Sequence, residues 1–255
     1  MNTEFQAIFF DLGDTLRILH HDDSYQLAAM HKITELVGTD AEPVEFLKLM
    51  DERYEDYRVW AFENMRESTE VELWTHWMTP DFPPDRIVKN AVALSFEYRQ
   101  AKGLRVLVDH GKEVIHELHR RGYTLGIISN LITSREVPDW LEEDGLTQYF
   151  KTVLLSAVCG LRKPDPEIYL MGAREVGIPP EKCAYIGDNL NRDVTGAKAA
   201  GFGMNIIFTT PAKLAKTKAN VTDANRPEGI IYDFRELLKI FLEYPKYDLS
   251  SVEKI

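Results

Sequence analysis

Ala7-Ile8-Phe9-Phe10-Asp11-Leu12-Gly13-Asp14-Thr15-Leu16 opens on four apolar residues and then turns polar at a carboxylate. An apolar run this short, bounded by turn residues, has the length of a strand rather than a helix. Because it does not alternate with polar residues, both of its faces are covered, as in a parallel sheet. Asp11 then stands at the carboxyl end of a buried strand. Working outward, five more runs share this texture. They are Thr124-Leu125-Gly126-Ile127-Ile128 before Ser129, Thr152-Val153-Leu154-Leu155-Ser156, Cys183-Ala184-Tyr185-Ile186 before Gly187-Asp188, Met204-Asn205-Ile206-Ile207-Phe208, and the weaker Gly229-Ile230-Ile231-Tyr232.

Helical patterns fill the gaps from residue 110 onward. Val114, Ile115 and Leu118 line one apolar face, and Arg120-Arg121-Gly122 suits a helix end, where basic side chains meet free carbonyls. Asp165-Pro166 reads as N-cap and first helical residue. Val194 to Ala200 is closed by Gly201, and Phe234 to Leu242 forms a last helix. Strands alternating with helices predict an α/β fold with a parallel sheet covered on both faces. Residues 17–104 break the rhythm with long helical patterns, no convincing strand run and recurring aromatics such as Tyr57, Trp74 and Tyr98. They hold 17 acidic against 10 basic residues. The expected organisation is an α/β domain of residues 1–16 and 105–255, with a helical domain, 17–104, inserted in it. Residues 209–228 read as an irregular connection with Lys213, Lys216 and Lys218 on a short exposed helix, and 244–255 as a weakly ordered tail.

The net charge of −11 argues against nucleic-acid binding and against docking on anionic lipid. No apolar stretch reaches the length of a membrane span, and the N-terminus lacks a signal-peptide pattern. Cys159 and Cys183 lie in no metal-binding pattern, so two reduced thiols in a cytoplasmic protein are expected. Oligomeric state is left open.

Ligands of an open parallel sheet bind at the carboxyl ends of its strands. Asp11, Ser129-Asn130 and Asp188 each follow a strand, and Lys163 lies in the loop after another. These loops bring carboxylates, a hydroxyl and an ammonium to one edge. A carboxylate can attack a phosphoryl group, and two carboxylates with a backbone carbonyl can hold Mg²⁺. A hydroxyl, amides and a lysine can bind phosphoryl oxygens as charge builds up.

With these residues in place the chain resembles the haloacid dehalogenase (HAD) superfamily of hydrolases. The resemblance rests on Asp11 to Thr15, Ser129-Asn130, Lys163 within Gly160-Leu161-Arg162-Lys163-Pro164-Asp165, and Gly187-Asp188-Asn189-Leu190-Asn191-Arg192-Asp193. It implies a Rossmann-like core with a separate α-helical cap after the first motif. It also implies a Mg²⁺-dependent phosphatase acting on a small phosphorylated metabolite through an aspartyl phosphate. Asp11 would be nucleophile and metal ligand, with the Gly13 carbonyl and Asp188 as further ligands. Asp193 would position the metal's waters or Lys163. Thr15, Ser129, Asn130 and Lys163 would bind the phosphoryl group.

The pattern departs from the family at one point. Its phosphatases carry a second aspartate, the general acid and base, two residues after the nucleophile. Gly13 stands there in this chain, and Asp14 follows it. Asp14 substitutes if the loop presents it; otherwise turnover is slow or limited to good leaving groups. A regulatory phosphate-binding module is the alternative. Carbon–halogen cleavage is a third reading, as is phosphonate cleavage by a lysine among Lys32, Lys48, Lys89 and Lys102. Arg17, His20 and His21 at the hinge either face the cleft or are solvated. His116 and His119 lack a third metal ligand.

Overall fold

The structure, a computed structural model, describes residues 5–243 and 246–254. Its strands are β1 (Ala7–Phe10), β2 (Arg17–His20), β3 (Leu104–Leu107), β4 (Thr124–Ser129), β5 (Phe150–Leu155), β6 (Cys183–Gly187), β7 (Met204–Phe208) and β8 (Gly229–Ile231). Six of them form one sheet in the order β5-β4-β1-β6-β7-β8, every pairing parallel. The chain builds outward from β1 in one direction and then returns to build from β6 in the other. The strand order therefore reverses at the β1/β6 boundary, where such sheets open a crevice beyond their carboxyl ends.

Side-chain alternation along β1 divides the apolar core in two. Ile8 and Phe10 join Val114, Leu118 and Leu237 on one face. Ala7 and Phe9 join Ile168, Tyr169 and Ala173 on the other. The helix Pro166–Val176, capped as expected by Asp165, lies close on that second face. Gly126 is needed there, because a Cβ would come within 2.5 Å of the Phe9 ring.

Residues 17–104 are not free of strands. β2 and β3, one at each end of this stretch, pair antiparallel with Arg17 opposite Leu107 and His20 opposite Leu104. A hairpin signal needs both strands near one turn, and here a whole set of helices separates them. Those helices, chiefly Asp23–Val37, Pro43–Asn64 and Pro84–Gln100, bury their own cluster around Met50, Tyr57, Trp74 and Leu94. Phe62 does not join it and stays 62% exposed. The buried Glu67 ties this layer to the sheet: Tyr57, Ser156 and Arg162 all hydrogen-bond to its carboxylate.

Thr210 caps the helix Pro211–Thr217, which carries Lys213 and Lys216, while Lys218 starts the next turn. Of the tail, Tyr244, Pro245 and Ile255 lie outside the described residues, as do Met1 to Glu4. Residues 246–254 pack against the core. Tyr247 packs its ring 4.9 Å from Phe5, and Val252 is buried against the sheet. Covering apolar surface at the β8 end gives the tail a place to bind.

Candidate active site

Asp11 is 4% exposed. Its N–H donates to the Ile186 carbonyl at 2.9 Å, which extends the β1/β6 ladder by one residue and fixes where the side chain emerges. Ser129, at the end of β4, donates to Asp11 Oδ1 at 2.9 Å, and Lys163 Nζ lies 2.9 Å from the same oxygen. Lys163 is 2% exposed and also contacts Asp193 Oδ1 at 2.7 Å. It donates to the Tyr185 phenol at 2.9 Å, and that phenol donates to the Ile128 carbonyl at 2.7 Å. The ammonium is therefore held at a fixed position by two carboxylates and a ring hydroxyl. Tyr185 is missing from the sequence-based set because within an apolar strand it reads as one more core residue.

Asn130 lines the same cleft, but its side-chain amide is already engaged. Its Nδ2 donates to the Lys163 carbonyl at 2.9 Å, and its Oδ1 accepts from the Lys163 N–H at 2.8 Å. It braces the backbone that carries the lysine. Thr15 is fully buried, its hydroxyl makes no hydrogen bond, and it does not line the cavity at Asp11.

Asp193 has both oxygens in use. Oδ1 meets Lys163, and Oδ2 accepts the N–H groups of Asp188 and Asn189 at 3.1 and 2.9 Å. Gly187 is required beneath it, since a Cβ there would lie 2.4 Å from Asp193 Oδ2. Asp188 is the carboxylate with spare capacity. Its Oδ1 is buried without a hydrogen bond, 3.6 Å from Arg192 Nη2.

The three carboxylates can each place an oxygen within 4.8 Å of the others. Among the described residues, Lys163 and Arg192 are the cations that pair with them, which leaves one negative charge in excess by formal count. Burial, then Asp193 and Asp11, push Asp188 up to about 7. Burial also raises Asp193. For Asp11 burial acts against the charge, but Lys163 and Arg192 prevail and hold its carboxyl below the ordinary range. An unpartnered buried oxygen and a surplus negative charge fit a hard divalent cation, which takes oxygen ligands.

A cavity of about 150 Å³ opens at Asp11, Ser129 and Lys163. Gly13 lines it, and a Cβ added there would meet no atom within 4 Å. The room for an aspartate is therefore present. Asp14 does not line this cavity. Its backbone takes the left-handed conformation, φ 55°, and its carboxylate pairs with Lys213 Nζ at 2.6 Å. Arg17 does reach the cavity, joined by Arg99, Arg105 and Arg192. Arg99 and Arg105 carried no signal in the sequence, lying at a helix end and in a short mixed strand. His20 and His21 are exposed, and neither lines the cavity. His116 and His119 pack on the Tyr149 ring at 4.4 and 5.2 Å. None of Lys32, Lys48, Lys89 and Lys102 lines the cavity.

A family model for haloacid dehalogenase-like hydrolases matches residues 5–201. The phosphoserine phosphatase of Thermus thermophilus is 36% identical over 37% of this chain and 38% of its own length. The glyceraldehyde 3-phosphate phosphatase of Methanopyrus kandleri is 34% identical over 51% of this chain and 54% of its own length. The chain thus spans well under two thirds of these curated relatives. Among solved structures, a 2-haloacid dehalogenase from Pseudomonas syringae superposes with a TM-score of 0.63 at 20% identity, covering 91% of this chain and 96% of that one. A HAD phosphatase from Thermococcus onnurineus gives 0.58 at 19% identity, with 95% and 100% covered. At these identities the structures show the fold alone.

Proposed function

The chain belongs to the haloacid dehalogenase-like hydrolases, and from that premise we propose a phosphatase of small phosphorylated metabolites with Asp11 as its nucleophile. The observation that carries this reading is the pairing of a buried carboxylate with a buried lysine and a serine on one oxygen. The lysine lowers the cost of bringing an anionic ester to an anionic nucleophile. Asp11 attacks phosphorus, the Asp11 oxygen–phosphorus bond forms, and the phosphorus–ester oxygen bond breaks. Water then attacks phosphorus, releasing phosphate and the free Asp11 carboxylate. Ser129 fixes the Asp11 rotamer, while Asn130, Asp193 and Tyr185 fix Lys163. Magnesium, which Asp11, Asp188 and the Gly13 carbonyl would hold, supplies positive charge against the substrate oxygens. Residues 1–16 and 105–255 act as the α/β core, and 17–104 as a helical cap that closes the cleft to water. Two free thiols suit a cytoplasmic setting.

Protonation of the leaving oxygen is the weak step. Gly13 offers no carboxyl, and Asp14 is tied to Lys213. Solvent then supplies the proton, which favours esters with good leaving groups. The same two facts favour a second reading, a phosphate-binding regulatory module with little turnover. No lysine reaches the cavity from the helices of the insertion to support phosphonate cleavage by a Schiff base.

The test is Mg²⁺-dependent hydrolysis of an aryl phosphate by wild type and Asp11→Asn. The variant is expected to lose at least about 10³-fold in kcat. Full activity in the variant sinks the nucleophile assignment.

A further inference from the structure

Besides Asp11 and Lys163, the cavity lining carries a set of guanidinium groups, here called the wall. Arg17, Arg99 and Arg105 all line it, while the acids that hold them do not. Asp144 pairs with Arg17, whose guanidinium also lies 4.5 Å over the Trp140 ring. Glu136, 0% exposed, takes Arg99 Nε at 2.9 Å and stands 3.7 Å from Arg105 Nη1. Arg105 is pinned further by donating to the Arg99 carbonyl at 2.8 Å. Three cations are thus fixed by two carboxylates that stand outside the lining. Glu143 and Asp14 act on Arg17 and Arg105 from farther off, and the three guanidinium groups still reach the lining of the cavity where the substrate must lie.

We propose that this wall binds a carboxylate carried by the phosphorylated substrate, so that the preferred substrates are small phosphorylated acids. The inference rests on the phosphatase reading for what occupies Asp11. Planar guanidinium groups match a carboxylate in two-pronged geometry, and a fixed wall loses little freedom on binding. Burial first, and Arg99 second, push Arg105 down to about 10. A competing place for a leaving group is the outer cleft of about 490 Å³, where Val59 and Phe62 face Asn130 and Arg162. That cleft is lined by charges of both signs, such as Glu55, Arg58 and Glu63, and it does not include Asp11.

Phosphoglycolate and ethyl phosphate differ at the end that the wall would read. With Mg²⁺, the wild-type protein is expected to prefer phosphoglycolate by at least about tenfold in kcat/KM, chiefly through KM. That preference collapses towards unity in Arg99→Gln and Arg105→Gln, and Arg105→Lys retains part of it. Calorimetric binding of the two esters to wild type gives the same ratio without needing turnover or a folded variant. Preferential binding without hydrolysis would overturn the phosphatase reading and leave the wall standing. Equal binding of the two esters overturns the wall.

Discussion

The floor and the wall of the cavity are opposite in charge and alike in construction. On the floor, Asp11, Asp188 and Asp193 face Lys163 and Arg192, which leaves one negative charge over. On the wall, Arg17, Arg99 and Arg105 pair with Asp144 and Glu136, acids that stand outside the lining. Buried ions are costly unless paired. The floor's imbalance therefore marks where a cation belongs, and the wall presents guanidinium groups to an anion. The floor stands on strand ends and a tight loop. The wall stands on a hinge strand, a helix end and the strand that returns from the helices.

The comparison breaks most readily at Gly13, which lines the cavity beside Asp11. Gly13→Asp has room for its side chain. It is expected to raise kcat for alkyl phosphates by about 10²–10⁴ and to change aryl phosphates far less. Steady-state rates on an alkyl and an aryl ester check this. If neither ester gains, the missing acid is not what limits the site, and the binding-module reading strengthens.

A smaller effect is expected at Glu136, which anchors the wall. Glu136→Gln leaves Arg99 and Arg105 without their buried counter-charge and should cost about 3 kcal/mol of stability in chemical denaturation. Phosphoglycolate should recover more melting temperature in this variant than in wild type, because it replaces the lost anion. Equal recovery would mean that the wall does not meet the ligand.

The smallest effect concerns pH and the floor. Asp188, pushed up to about 7, is protonated below that pH and must lose the proton to ligate a cation. Mg²⁺ affinity should fall towards about tenfold per pH unit below 7 and level off above it, as calorimetry across pH 5–9 would read. The sign for stability follows from the same shift. The raised carboxyl binds more proton folded than unfolded between its ordinary value and about 7, so metal-free protein loses stability across that window as pH rises. Added Mg²⁺ should remove the loss. A flat affinity profile would place the cation away from Asp188.

The sheet was largely legible because a strand covered on both faces must be apolar throughout, and a short apolar run that ends in polar residues says so locally. Asp11, Ser129, Lys163 and Asp188 were legible for the same reason, each standing at or just after a strand end. The duties within the floor were less so. Asn130, expected at the phosphoryl group, has its amide on the Lys163 backbone, and Asp193, expected to position the metal's waters or Lys163, holds Lys163 through Oδ1 and two loop N–H groups through Oδ2. β2 and β3 escaped because each is short and mixed, and their partners lie on opposite sides of the inserted helices.

Sequence by itself therefore determined the parallel sheet and pointed to Asp11, Ser129, Lys163 and Asp188 at one edge of it, since strand texture and strand-end chemistry are local properties. The tertiary structure decided that Asp14 turns away to Lys213, that Tyr185 steadies Lys163, and that Arg17, Arg99 and Arg105 share one wall. Those outcomes depend on which distant segments the fold brings within a few ångströms. Pairing between buried charges is set by that proximity and by the low dielectric around it, neither of which a linear pattern records.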